Sequence, residues 1–421
     1  MTTTTQYKNW AGNHTYQAAR LHGPHTVEQV QDTVRRSGKV KALGTRHSFN
    51  AIADTEHDHL SLANLNQLVA LDREARTVTV EAGMRYGDLC AILDHEGFAL
   101  HNMASLPHIS VAGSCATATH GSGDANGNLA TAVAGMEIVT AEGDLLTVTR
   151  QDADFPGRVV HLGALGVVTK VTLDLLPRYE MRQDVYLRLP LAQIESHFED
   201  IFSAAYSVSL FTTWQHDFVE QVWLKSRRSD GSAYWGRDTF YGAARATVPV
   251  SPIADAPVER CTPQLGIPGA WNERLPHFRL NFTPSFGEEL QSEYFIPRPN
   301  AVEALGRIHA LREIITPYLF ISEVRTIAAD DLWMSPCYGQ ACVGIHFTWK
   351  QHWGVRHILP LIESQLEPLG ARPHWGKLFT LAPEIVQSRY EKLPAFRRLA
   401  QQVDPAGKFR NAFLDRYVLG V

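Results

Sequence analysis

The chain has 421 residues, 44% of them hydrophobic and 20% charged, with a net charge of −5. That size and apolar share suit a globular protein of two or three lobes, and the acidic balance argues against the clustered basic face of a nucleic-acid binder. The opening stretch, Met1 to Asn13, lacks the apolar core of a signal peptide, no apolar run approaches the roughly 20 residues that span a bilayer, and five cysteines without a C-x-x-C pair disfavour a disulfide framework or a zinc site. The expectation is a cytoplasmic protein of a reducing compartment, with no metal, nucleic acid or membrane as partner.

Thr26 to Ser37 reads as a helix. Thr26 with Gln29 fits a capping box, Val27, Val30 and Val34 share a face, and Gly38 follows. Lys39 to Leu43 then reads as a strand running into Gly44, so the turn that carries His47 sits at a strand end, where backbone N–H groups are free to meet a ligand. Asn66 to Gly83 is a hairpin turning at Asp72 to Ala75, and Tyr86 to Gly97 is a short helix closed by glycine. Ala132 to Arg150 is a second hairpin, turning at Glu142 to Asp144, and Gly166 to Tyr179 is a strand ended by Pro177. Hairpins in this number disfavour the alternating βαβ units of a nicotinamide-type sheet.

From about 180 to 373 the chain is richer in aromatics. Val248 to Gly269 holds five prolines and two glycines and reads as an irregular surface loop. Pro394 to Leu414 reads as a helix, a Pro-Gly turn and an aromatic-bearing end.

Two features carry chemistry. Asn102 to Asn128 is dominated by Gly, Ala, Ser and Thr, which let a backbone approach a ligand closely and let successive N–H groups cradle a pyrophosphate; G-x-G-x-x-G is absent. In the second lobe, Ile321, Glu323, Arg325 and Ile327 alternate along one strand face, and His346 with Thr348 along another. Lys377 follows Gly376 in a third piece. On spacing alone, the polar faces could be a solvated sheet surface or a pocket wall. His57 and His59 have H-x-H spacing but no further ligands nearby, so a solvated loop is expected there. Trp333, Trp349, Trp353 and Trp375 are expected in the core.

The segments Gly44 to Asn50 (GTRHSFN), Ala104 to Gly123 (ASLPHISVAGSCATATHGSG) and Leu162 to Leu173 (LGALGVVTKVTL) together resemble the flavin domain of the vanillyl-alcohol-oxidase superfamily, and within it the alditol oxidases. The resemblance implies a two-domain α+β flavoprotein: an FAD-binding domain of residues 1–179, a cap of 180–375 built on a mixed or antiparallel sheet, and a C-terminal segment, 376–421, returning to the first domain. It implies FAD joined through its 8α carbon to His47. A neutral imidazole nitrogen is a nucleophile suited to that bond. Ala42, Leu43, Gly44, Thr45, Arg46 and Ser48 are then expected around the cofactor, continued by Ser110, Gly113, Thr117, Ala118, Thr119 and His120. Gly163 to Val168 are expected to pass beside the adenine half. Cys115 is expected to stay unattached, as small buried cysteines are usually inert.

By the same resemblance Ser105, Glu323, Arg325, Thr348 and Lys377 bind a linear polyol such as xylitol or sorbitol. Lys377 is the expected base, with His346 as partner or alternate. The terminal C1 carbon gives up hydride to the flavin, the product is an aldose, and O₂ becomes H₂O₂. Ala104, small and beside Ser105, leaves oxygen a path. A monomer is expected. An aldonolactone oxidase or dehydrogenase of the same superfamily is the nearest rival, and a non-catalytic carbohydrate-binding protein a distant one.

Overall fold

A computed structural model describes residues 7–231, 234–254, 256–280 and 289–420. The first helix, Val27–Arg36, starts as its sequence requires: Thr26 accepts from the Gln29 N–H, and Val30 and Val34 are buried. The reciprocal half of the capping box is shifted, because Gln29 Oε1 accepts from the N–H of His25. Extended Ser37 stops the helix before Gly38 is reached. The Val40–Leu43 strand follows. It runs parallel to Asp58–Ser61, which is itself parallel to Arg20–His22.

Both hairpins form, Leu68–Asp72 with Thr77–Glu81 and Val133–Val139 with Leu145–Thr149. The Val167–Asp174 strand lies between them and completes a five-stranded antiparallel sheet. That strand ends at Asp174, short of Pro177. Leu176 and Pro177 leave it to pair with Phe98 and Ala99. The C-terminal tail packs on this half of the molecule. The Val40 N–H donates to the Lys408 carbonyl, and the Asn411 amide reaches the carbonyls of Ala51, Ile52 and Asp54.

The other half is a ten-stranded antiparallel sheet whose centre runs in the order Glu180–Pro190, Phe218–Arg227, Ser207–Thr212, Leu319–Ile327, Cys342–Lys350 and Glu289–Pro297. Alternation along these strands gives the sheet two different faces. Val208, Leu210, Val324, Ile345, Phe347 and Trp349 share an apolar core with side chains of the Leu191–Phe202, Ala301–Ala310 and Val355–Leu366 helices. The opposite face carries Phe211, Glu323, Arg325, His346 and Thr348, and it too is buried. Helices, a small parallel sheet and antiparallel sheets make the mixed α+β fold that was expected.

The small-residue segment divides its work. Its first part reaches a cavity described below, and its last part joins the two halves. The Gly123 N–H donates to the Thr326 carbonyl (2.9 Å), the Ala328 N–H to that of Asn126 (3.0 Å), and Arg298 forks onto Asp124 at 2.7 and 2.8 Å.

Two expectations need correction. Val248 to Gly269 is irregular, but it packs inward: Cys261, Thr262 and Gln264 are buried, and Pro252 and Ile253 reach the cavity. Its Asp255 lies outside the described residues, as do Met1 to Gln6 of the opening stretch. Trp349 and Trp375 are core and Trp333 is half-buried, but Trp353 is 73% exposed. It precedes the Val355–Leu366 helix in a turn at the end of the Cys342–Lys350 strand, beyond the reach of either core.

Candidate active site

A cavity of about 280 Å³ is lined by the His47 turn, the Ser110 region and the polar face of the large sheet. Arg46 takes the left-handed conformation (φ +62°), and its carbonyl accepts from the Trp10 N–H, which fixes the turn. The His47 ring stacks on Trp10, with centroids 5.2 Å apart. Its Nδ1 lies 3.0 Å from Thr45 Oγ1, which also accepts from the Ser110 N–H; Nε2 is the ring nitrogen left over. Burial, with His108 adding to it, pushes the His47 imidazole down to about 4, which favours the neutral ring at pH 7.

Ala42, Leu43, Gly44, Thr45, Arg46 and Ser48 all line this cavity. A Cβ on Gly44 would meet Ser110 Oγ at 2.6 Å, and one on Gly113 would meet it at 2.8 Å. Gly44 and Gly113 thus pack closely on Ser110 where all three line the cavity, a close approach that larger residues would block and that suits a pyrophosphate cradle. Thr117, Thr119, His120 and Val168 continue the wall, as do Ala104 and Ser105. Ala118 does not line it. Its left-handed backbone (φ +55°) turns the methyl into the core, where it is 1% exposed. Cys115 is also outside the lining, and burial pushes its thiol up to about 12. The solvated loop expected at His57 and His59 holds for exposed His57 only: His59 is buried in the Asp58–Ser61 strand, where Nε2 donates to the Ala53 carbonyl (2.6 Å) and Nδ1 meets the Tyr7 hydroxyl.

The polar face is a grid set by strand register. Glu293, His346 and Glu323 lie side by side across three strands, and Gln291, Thr348 and Ile321 form the next row. Phe295, Gly344 and Arg325 form the row beyond. The glycine matters here, since a Cβ on it would stand 3.1 Å from Glu293 Oε1. Through that gap Arg325 Nη2 reaches Glu293 Oε1 at 2.7 Å.

Glu293 is the hub. Besides Arg325 it meets Lys377 Nζ, His120 Nε2 (3.0 Å) and His346 Nδ1 (3.5 Å). Burial alone would raise its pKa, but Lys377, Arg325 and His120 outweigh it and hold the carboxyl well below the usual range. Glu323 is held low in the same way, by Arg325 and His277 against burial. Burial pushes Lys377 down from its ordinary value, with Glu293 opposing. Lys377 Nζ is 2.8 Å from His346 Nδ1, and His346 Nε2 is 3.0 Å from Thr348 Oγ1. Burial, then Lys377, pushes His346 down to about 4. Whichever way the Lys377–His346 hydrogen bond points, one proton serves both nitrogens.

His120 adds a constraint. Its Nδ1 donates to the Gly121 carbonyl at 2.8 Å, which fixes the tautomer. Nε2 then faces Glu293 Oε1 at 3.0 Å. Burial pushes the His120 imidazole below its ordinary pKa, with Glu293 opposing.

Sequence reasoning missed Glu293, His277 and His374. The signal for Glu293 was legible: in the Glu289–Pro297 strand, Glu289, Gln291 and Glu293 alternate with Leu290, Ser292 and Tyr294. His277 lies in irregular chain with no period to read. His374 packs beside Phe295, with ring centroids 6.0 Å apart, and accepts the Gly376 N–H that leads into Lys377.

Residues 18–149 match the model of the FAD binding domain family, and residues 277–417 that of D-arabinono-1,4-lactone oxidase. The crystal structure of a cholesterol oxidase from B. sterolicum shares the fold, with a TM-score of 0.76 at 15% identity over 98% of this chain and 96% of that one. A carbohydrate oxidase from Microdochium nivale has a TM-score of 0.76 at 14% identity over 97% and 94%. The FAD binding domain match, taken with the relative that follows, defines an FAD-dependent oxidoreductase. An alditol oxidase from Streptomyces sp. (strain IKD472 / FERM P-14339) is 47% identical over 97% of this chain and 98% of its own length, whereas the L-gulonolactone oxidase of Bos taurus is 26% identical over 98% of each. The chain belongs to the alditol oxidase family.

Proposed function

We propose that the protein oxidises the terminal C1 hydroxyl of a linear polyol such as xylitol or sorbitol to the aldose, with O₂ reduced to H₂O₂. One observation carries this: the buried polar grid matches Arg325 and Lys377 with Glu293 and Glu323, leaving alternating donors and acceptors with little net charge. Such a surface suits an uncharged chain of hydroxyls, each of which is costly to leave unpaired. Ser105, Glu323, Arg325 and Thr348 bind those hydroxyls. Lys377 takes the C1 hydroxyl proton and His346 shares it, since the two nitrogens already hold one hydrogen bond. When bound, FAD supplies the acceptor for the C1 hydride and the route from there to O₂.

His47 is the residue we assign to covalent attachment. It is neutral, it lines the cavity, and its turn is tied to the base: the Asn50 amide donates to the carbonyls of Trp375 (2.9 Å) and Lys377 (2.7 Å). Ala104 leaves room for oxygen at the cavity wall. Residues 1–179 with 376–421 form the FAD-binding domain and 180–375 the cap. Two large apolar clusters support that division, with Met181, Trp271, Leu275, Leu332, Met334 and Trp375 of the cap joining the first. We further assign a monomer working in the cytoplasm; sedimentation of the purified protein tests the first.

Acid precipitation tests the attachment. The yellow pigment is expected to remain with the wild-type pellet and fluoresce on a denaturing gel, and to wash out of H47A. Pigment lost from the wild type overturns the assignment. H₂O₂ release with xylitol against L-gulono-1,4-lactone tests the substrate, and faster turnover of the lactone favours the rival.

A further inference from the structure

Glu323 is backed by two side chains that the reaction does not require directly. His277 Nε2 lies 2.8 Å from Glu323 Oε1, and Lys225 Nζ lies 3.1 Å from His277 Nδ1. All three are buried, and Lys225 does not line the cavity. Lys225 has no carboxylate within ion-pair distance among the described residues. Its Nζ instead meets the carbonyls of Leu275 and Pro276 and the ring nitrogen of His277. Burial pushes the Lys225 amine down to about 7, with Glu323 opposing; as an ammonium it has three N–H donors and no lone pair, so the three acceptors satisfy it and each bond has one direction.

The direction propagates. With Nδ1 accepting from Lys225, a neutral His277 carries its proton on Nε2 and donates it to Glu323. Burial, then Lys225, pushes His277 down to about 4, which keeps it neutral. The ring is held in place. Phe211 and Trp223 meet it edge-on with centroids 5.2 Å away, and the Thr262 N–H holds its carbonyl at 2.9 Å.

We propose that Lys225 and His277 are positioning residues for substrate: Lys225 fixes the His277 tautomer, and His277 thereby holds Glu323 as an ionised acceptor for a polyol hydroxyl. The inference rests on the polyol reading above. Without the Lys225 donor the imidazole can place its proton on Nδ1, and Nε2 then turns a lone pair on the carboxylate. Glu323 must swing away or take up a proton, and either loses the acceptor.

The test compares K225M, E323Q and their double variant, each checked for fold and flavin absorbance. K225M is expected to raise the KM for xylitol about tenfold or more with kcat changed less than about threefold, because a bond to a non-reacting hydroxyl is felt alike in ground and transition states. In the E323Q background K225M is expected to add nothing, since the carboxylate it acts through is gone. Nitrogen-15 NMR of histidine-labelled protein is expected to show His277 as the Nε2–H tautomer in the wild type and mixed in K225M. If K225M does not fold, the His277 variants decide. H277Q can accept from Lys225 and donate to Glu323, so it is expected to lose less xylitol affinity than H277F. Unchanged KM in folded K225M, full additivity with E323Q, or equal losses in H277Q and H277F each overturn the inference. A wild type that does not oxidise xylitol instead overturns the polyol reading.

Discussion

Lys377 and His346 share a proton, and burial pulls the lysine pKa below its ordinary value of about 10.4. A base acts in its neutral form, so kcat/KM is expected to rise with pH as Lys377 loses its proton and to level off beyond that point. The acid limb is expected below the ordinary lysine range. K377M is expected to lower kcat about 10²- to 10⁴-fold and to abolish that limb, as measured by H₂O₂ release across pH. A limb that survives in K377M moves the role to His346. Single residues were read from the chain where a local turn explained them, as with His47 after Gly44. Glu293 escaped notice because its importance is not local: its partners Lys377, Arg325 and His120 come from three distant parts of the chain.

Strand alternation put polar side chains on shared faces but did not give the faces' setting. The pairs Glu323–Arg325 and His346–Thr348 fit a solvated sheet face as well as a pocket wall, because a period of two shows that two faces differ and nothing more. Register decides what the pairs do, and register is a relation between strands. It puts Gly344 between Arg325 and Phe295, where only a missing side chain leaves Arg325 a path to Glu293. G344V places carbon 3.1 Å from Glu293 Oε1 and 3.3 Å from Ile327 Cδ1. It is expected to break the Arg325–Glu293 pair and to raise the polyol KM by an order of magnitude or more, since a buried charge is left unmatched. Steady-state kinetics on flavin-loaded G344V check this, and an unaltered KM removes the gap from the account. The Pro-rich stretch shows the same limit. Its composition forecast irregular chain correctly, and tertiary packing turned that chain inward.

Across the whole molecule, buried histidines make stability depend on pH. His161, His277 and His346 are each pushed down to about 4, by burial first. Unfolding returns them to about 6.5, so between those values the unfolded chain binds more protons than the folded one. The share of stability these histidines carry is therefore expected to be complete above about pH 7 and to be lost as pH drops toward 4. Each proton taken up adds a slope of about 1.4 kcal/mol per pH unit within that window. Glu293 and Glu323 have depressed pKa values, so their share is lost only at lower pH, below the ordinary carboxylate value of about 4.3. Urea midpoints at pH 7, 6 and 5 measure the slope, and equal midpoints sink the claim.

The amino-acid order by itself determined the local units: the capped first helix, both hairpins, the strand-end turn of His47 and the small-residue segment that lets backbone approach a ligand. These depend on neighbours within a few residues, where steric and hydrogen-bonding preferences act directly. Only the tertiary structure decided that the polar strand face is buried, that Glu293 sits at its hub, and that Lys225 stands behind His277. A charge can be held out of water only where partners from elsewhere in the chain meet it, and no local pattern encodes that meeting.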